Sequence, residues 1–187
     1  MYPDVSTMQN LPEDLVEKQQ QFLSFILFRR REHNYPLKYI ANLDKTSVAF
    51  DLPSMTTVDK HGTKTQLPAT CIFKLRTIPH EEFPMGINVR VNEKGWCNET
   101  EMLWWINNVW SKRLTNQYES SRSLLVLNSF HGHLVNSVKQ QFVSKKTDLA
   151  VIPGGLTSKL QPLDVMINHS FKAKMRIQYN EWMTSEI

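Results

Sequence analysis

Leu15, Phe22, Leu23, Ile26 and Leu27 recur at helical spacing, with Asn10 and Glu13 at capping-box separation before them and Arg29, Arg30 and Arg31 after them. This spacing predicts an amphipathic helix. It should stop before Pro36, because proline disfavours helical backbone in the residue that precedes it. From residue 37 to 50 β-forming residues flank Asp44 without a helical period, which predicts a strand with Asp44 at or just past its end. Residues 51 to 64 are polar and turn-forming. Ala69 to Lys74 is a second short strand, and Ile87 to Val91 is a short extended piece in a connection marked by Pro79, Pro84, Gly86 and Gly95.

Asn98 and Glu101 then stand at capping-box separation before Met102, Trp105, Ile106 and Val109, an i, i+3, i+4, i+7 face that places its tryptophan in a core. Trp104 and Trp110 fall off that stripe and are candidates to face a partner. The run Leu124 to Leu127 is apolar without alternation, as expected of a strand buried on both faces, and Asn128 ends it. Leu134, Val138 and Phe142 mark a helical face, and Leu149 to Ile152 is a second unbroken apolar run. Strand, helix and strand make a parallel βαβ unit, so the fold class is α/β. After a turn at Gly154 and Gly155, a long final helix carries Leu163, Ile167, Phe171, Met175 and Trp182 on one face and Asp164 in its first turn.

A chain of 187 residues with 41% hydrophobic composition can bury one sizeable core. The longest apolar stretch, Phe22 to Phe28, is far too short to span a bilayer and the first ten residues lack a signal layout, so an intracellular protein with no membrane partner is expected. Cys71 and Cys97 lie far apart, outside any zinc or disulfide pattern, and read as reduced thiols. The net charge of +4 comes from clusters: Arg29, Arg30 and Arg31; Lys145 and Lys146; Lys172, Lys174 and Arg176. Such clusters suit a polyanion, although each also suits a helix C-terminus or a solvated face.

In open α/β sheets ligands collect beyond the carboxyl ends of the strands, where Asp44 and Asn128 are predicted to lie and which Asp164 can approach. Three acidic positions so placed would bind two divalent cations that clamp a phosphodiester, but the middle position here is an amide. Asp164 and Asn168 share a helix face, a pairing that any capped helix can carry. His131 and His133 lack a third nearby metal ligand, Gly154 and Gly155 read as a turn, and Ser129 lacks the small-residue elbow of a hydrolase nucleophile.

Residues 124 to 133 (LLVLNSFHGH), 147 to 158 (TDLAVIPGGLTS) and 160 to 165 (LQPLDV) with Asn168 resemble the signature stretches of pogo/Tigger-type DDE domains of the mariner/pogo superfamily. Asn42 to Thr46 resembles the family's first metal-binding stretch, and Asn92 to Trp96 a segment ahead of an inserted helix. The resemblance implies a ribonuclease-H-like domain over residues 36 to 187, with 1 to 35 as a helical lead-in, and a family activity of metal-dependent DNA strand cleavage and transfer. It also implies Asp44 as first and Asp164 as third catalytic and metal-binding carboxylate, with Asn128 where the second is expected. Mg²⁺ or Mn²⁺ would be the cofactor of an active member. Two further departures follow. One strand is missing where Lys64 to Gln66 runs straight into Leu67 and Pro68. The family's helix-turn-helix region has no counterpart, since Leu11 to Asn34 resembles only the helix after it. The expectation is therefore a degenerate, noncatalytic, nuclear domain that binds DNA weakly and without sequence preference through the basic clusters. A metal-dependent nuclease and a domesticated protein-interaction module are the alternatives.

Overall fold

A computed structural model describes residues 14–36, 39–45, 67–113, 121–161, 163 and 169–185. Helix α1 spans Leu15–His33, and Asn34 ends it in the left-handed conformation, its N–H donating to the Arg30 carbonyl at 2.9 Å. The stop thus comes at an asparagine ahead of Pro36, a residue type that tolerates this backbone. Asn10 and Glu13 lie outside the described residues; the first described turn is closed by an Asp14 to Lys18 ion pair of 3.0 Å.

Strand β1 covers Ile40–Leu43, β4 Ser123–Asn128 and β5 Thr147–Ile152, and they form a parallel sheet in the order β1-β4-β5. Leu43 pairs with Leu127 and Asn128 with Ile152, so the carboxyl ends of all three strands share one edge. The apolar run of β4 is continuous because both of its faces are covered. Leu125 and Leu127 pack with Ala41, Leu43, Trp105, Val138 and Phe142, whereas Leu124 packs with Phe22, Ala150, Ile152 and Leu156 on the α1 side. Full burial of each leucine stabilises by roughly 2 kcal/mol.

Strands β2 (Ala69–Lys74) and β3 (Ile87–Asn92) pair in parallel as a separate two-stranded sheet. Ile72 carries β2 into the main core. The join at residues 64 to 66 lies outside the described residues; among those described, β1 pairs only with β4, and β2 takes β3 as its neighbour.

Helix α2, Glu99–Asn108, begins at Asn98, whose side-chain oxygen accepts from the Glu101 N–H at 3.0 Å. Its apolar face, Met102, Trp105, Ile106 and Val109, is buried as the spacing predicts. Trp110, expected to face a partner, is instead core: it stacks on Trp105, meets the edge of Phe142 and donates its indole N–H to Thr147 Oγ1 at 2.8 Å. A 3-10 turn at Trp110–Arg113 rotates it inward, off the straight helical projection. Trp104 is half-buried under the Arg90 guanidinium, and Arg90 pairs with the buried Glu101 at 2.8 Å. Between β4 and β5 the chain forms α3 (His131–Leu134) and α4 (Asn136–Ser144), separated by an extended Val135. After β5 come α5 (Thr157–Leu160) and α6 (His169–Ser185). Phe171 and Met175 of α6 are half-buried, Leu163 is buried, and Ile167 lies outside the described residues.

Candidate active site

Asp44 follows the last residue of β1, and Asn128 is the last residue of β4, so parallel pairing sets them side by side. The Asn128 amide nitrogen donates to Asp44 Oδ1 at 3.3 Å, and the Lys45 N–H donates to the same oxygen at 2.8 Å. Asp44 is buried. The orientation of the Asn128 amide is fixed by its other end, where Oδ1 accepts from the Phe130 N–H at 3.2 Å. A flipped amide would oppose two donors there. The carbonyl oxygen, the atom of Asn128 able to ligate a hard cation, is therefore engaged with backbone, and a donor faces Asp44.

Asp164 and Asn168 lie outside the described residues. The chain before them is pinned to β1: Gln161 Nε2 donates to the Leu43 carbonyl at 3.1 Å, and the Leu163 N–H to Asn42 Oδ1 at 3.3 Å. Asp51 and Asp59 also lie outside the described residues. Asp148, one residue into β5, sits at the opposite edge of the sheet from Asn128, as the strand direction requires. Among the described residues no group of three His, Cys, Asp or Glu side chains is placed to hold a metal ion. The described part of the site, one carboxylate and an amide that presents its N–H to that carboxylate, does not by itself fit a two-cation centre.

Lys45, next to Asp44 in the chain, is covered by two aromatic rings. The Lys45 ammonium lies 3.4 Å from the centroid of the Trp96 ring and 4.6 Å from that of Phe130. Burial lowers its pKa, with the neighbouring Cys97 pulling the other way. The Cys97 thiol is pushed up to about 12 by burial, against the pull of Lys45. His133 is fully buried against the Phe130 ring at 5.2 Å, and burial takes its pKa down to about 4 while the Asn128 backbone, outside hydrogen-bonding geometry, opposes this. His131 is exposed, so the two histidines do not share an environment. Only adjacency to Asp44 could have singled out Lys45; Trp96 joins it from across the fold.

The basic clusters lie elsewhere. Arg29 bonds Asp148 at 3.3 Å and Glu32 at 2.9 Å, while Asp148 also accepts from Arg122 Nε at 2.8 Å and Tyr35 at 2.6 Å. Burial raises the Asp148 carboxyl, but the Arg122 and Tyr35 hydrogen bonds and the nearby guanidinium charges outweigh it and leave the pKa below the ordinary value. Arg29 is thus already neutralised, whereas Arg30 and Arg31 are exposed on the same helix end. Lys145 and Lys146 form the turn into β5 at this same edge, roughly 20 Å along the strand direction from the Asn128 end. Lys174 and Arg176 are exposed on α6, and Lys172 is half-buried.

Residues 58–187 match the family model described as DDE superfamily endonuclease, a span that holds Asn128 and Asp164 and begins after Asp44. The chain is 35% identical to the human "Pogo transposable element with KRAB domain", over 96% of this chain and 33% of that protein, and 34% identical to its mouse counterpart over the same shares. A human "Pogo transposable element with ZNF domain" is 24% identical over 91% of this chain and 14% of that protein. The chain thus spans about a third or less of the length of these relatives. Two solved structures of the Mos1 mariner transposase catalytic domain, one with raltegravir and manganese, share the fold at TM-scores of 0.57 and 0.59. At 15% and 14% identity, each covers 94% of this chain and 82% of the other.

Proposed function

Because this chain belongs to the DDE superfamily endonuclease family, we propose that it is a transposase-derived DDE domain that no longer cleaves DNA and retains weak, sequence-independent affinity for it. The observation that carries this reading is the Asn128 side chain, whose only ligand oxygen caps the Phe130 N–H while its amide donates to Asp44. In a family whose activity depends on divalent metal, that exchange removes one negative charge and one ligand from the centre. The bonds from Gln161 and Leu163 to β1 support carrying the third carboxylate role to Asp164. With DNA as its partner, the domain acts in the nucleus. Arg30, Arg31, Lys145, Lys146, Lys174 and Arg176 supply phosphate contacts; Arg29, tied to Asp148, holds the fold instead.

The test is Mg²⁺- or Mn²⁺-dependent nicking of supercoiled plasmid by the original chain, by Asn128→Asp, and by Asn128→Asp with a strand inserted between Lys64 and Leu67. The first two are expected to be inactive, since catalytic carboxylates need placement to within about 0.5 Å and the reversion leaves the sheet unrepaired. Nicking by the original chain that Asp44→Ala and Asp164→Ala each abolish would establish the metal-dependent nuclease reading in its place.

A further inference from the structure

Trp96 is held by its backbone on both sides. Asn92 Oδ1 accepts from the Trp96 N–H at 3.3 Å and from the Lys94 N–H at 3.1 Å, while Asn92 Nδ2 donates to the Trp96 carbonyl at 2.8 Å. Gly95 takes φ +64° in this turn, and a Cβ there would lie 2.9 Å from Lys74 Cβ and 3.1 Å from the Lys74 backbone nitrogen. The turn is therefore locked against β2 with glycine as the residue that fits. Yet the side chain it presents is 52% exposed. An indole fixed at its base and open to solvent is preorganised for contact, because little further ordering is needed when something stacks on it.

The second observation lies under that ring. Lys45 Nζ has no exposed surface and no hydrogen-bond partner among the described residues, so three ammonium donors are left with two aromatic faces alone. Cation–π contact offsets only part of an ammonium's desolvation, and such a group is the natural counter-ion of an anion not yet in place. A lysine side chain has four flexible carbons, so reaching a phosphate needs a change of rotamer and no movement of β1. Both residues stand at the strand edge that carries Asp44 and Asn128, away from the basic cluster around Lys145 and Lys146.

We infer that Trp96 and Lys45 form a subsite for an unpaired DNA nucleotide, with the base stacked on the open face of the indole and its phosphate taken by the Lys45 ammonium. This rests on the DNA-binding reading above and gives it a place and a strand preference. An indole accepts any base by its π-face, but only one that has left the duplex stack. The subsite is thus indifferent to sequence and selective for single strands.

The experiment compares binding of a fluorescein-labelled oligothymidylate with that of a duplex of equal length by anisotropy, using the full chain at several salt concentrations. Trp96→Ala should weaken single-strand binding about tenfold and leave duplex binding unchanged, and Trp96→Phe, which keeps an aromatic face, should restore most of the loss. Lys45→Met should lower the salt slope for the single strand by about 0.7, the release expected for one phosphate contact. Unchanged single-strand affinity in Trp96→Ala, an equal loss on both ligands, or an unchanged slope in Lys45→Met overturns the subsite while the DNA-binding reading stands. Failure of the original chain to bind either ligand overturns both.

Discussion

Replacing Asn128 by Asp would set two carboxylates where a donor and an acceptor now meet at 3.3 Å. Like charges at that distance oppose one another, so without metal the variant should be less stable than the parent at pH 7 by about 1–3 kcal/mol. Mn²⁺ should raise the melting temperature of Asn128→Asp and leave the parent where it was; equal responses in differential scanning fluorimetry would argue against a metal pair at these positions. His133 sets a second expectation. Its folded pKa of about 4 lies below the ordinary value of about 6.5, so between those limits the unfolded chain takes up a proton that the folded chain refuses. Stability should therefore fall as pH drops from about 6.5 to about 4, by on the order of 3 kcal/mol, and level off below. Asp148 acts in a separate window. Its lowered pKa contributes stability above about 3.9 that is lost as pH falls through the folded value. Urea denaturation from pH 4 to 7 should show the first slope in the parent and not in His133→Leu.

Among the elements, α2 is the one whose start the sequence spelled out in full, and the Asn98 cap is present at 3.0 Å. Asn98→Ala should cost about 1 kcal/mol in chemical denaturation; a change under about 0.3 kcal/mol would mean that the buried face of α2 alone sets its start. Strands β4 and β5 were legible because four apolar residues in a row admit few other readings, whereas the pairing of β1 with β4, which sets Asp44 beside Asn128, is a finding of the structure. The break at Val135 was not legible. Leu134, Val138 and Phe142 keep their four-residue spacing across it, so an apolar stripe reads as one helix where the backbone makes two. Nor was the contact of Lys45 with Trp96, or that of Arg29 with Asp148, since each depends on which loops and ends the finished sheet brings together. Charge clusters in sequence say nothing of an acid buried among them, which is why Arg29 looked like a phosphate contact.

Across the whole molecule, Lys145 and Lys146 with the Arg29 network lie at the amino edge of the sheet and the Asp44–Asn128 pair at the carboxyl edge. Duplex DNA held by the exposed arginines and lysines should respond steeply to salt. Arg30→Ala with Arg31→Ala should reduce the salt slope by nearly two and weaken all duplex sequences alike. Arg29→Ala should chiefly lower stability, because it removes one of the two guanidinium partners of the buried Asp148 and leaves Arg122 as the other. A titration in which Arg29→Ala changes the slope as much as its neighbours, with unfolding unaffected, would reverse that assignment.

The register of β1 against β4 also has a meaning in time. Ser123 and Thr147 meet across a short βαβ connection, whereas Asn42 reaches Val126 and Asp44 reaches Asn128 from 84 residues away. Closing the longer loop costs about 1 kcal/mol more in chain entropy, and β1, with four residues to pair against β4 where β5 has six, has less to gain on arrival. β4 and β5 can therefore assemble as a folding unit before β1 docks. The Asp44–Asn128 pair is then the last contact of the sheet to form and the first to open. Amide protons of β1 should exchange with solvent sooner than those of β5, and the site dissolves in partial unfolding while the core beneath it persists.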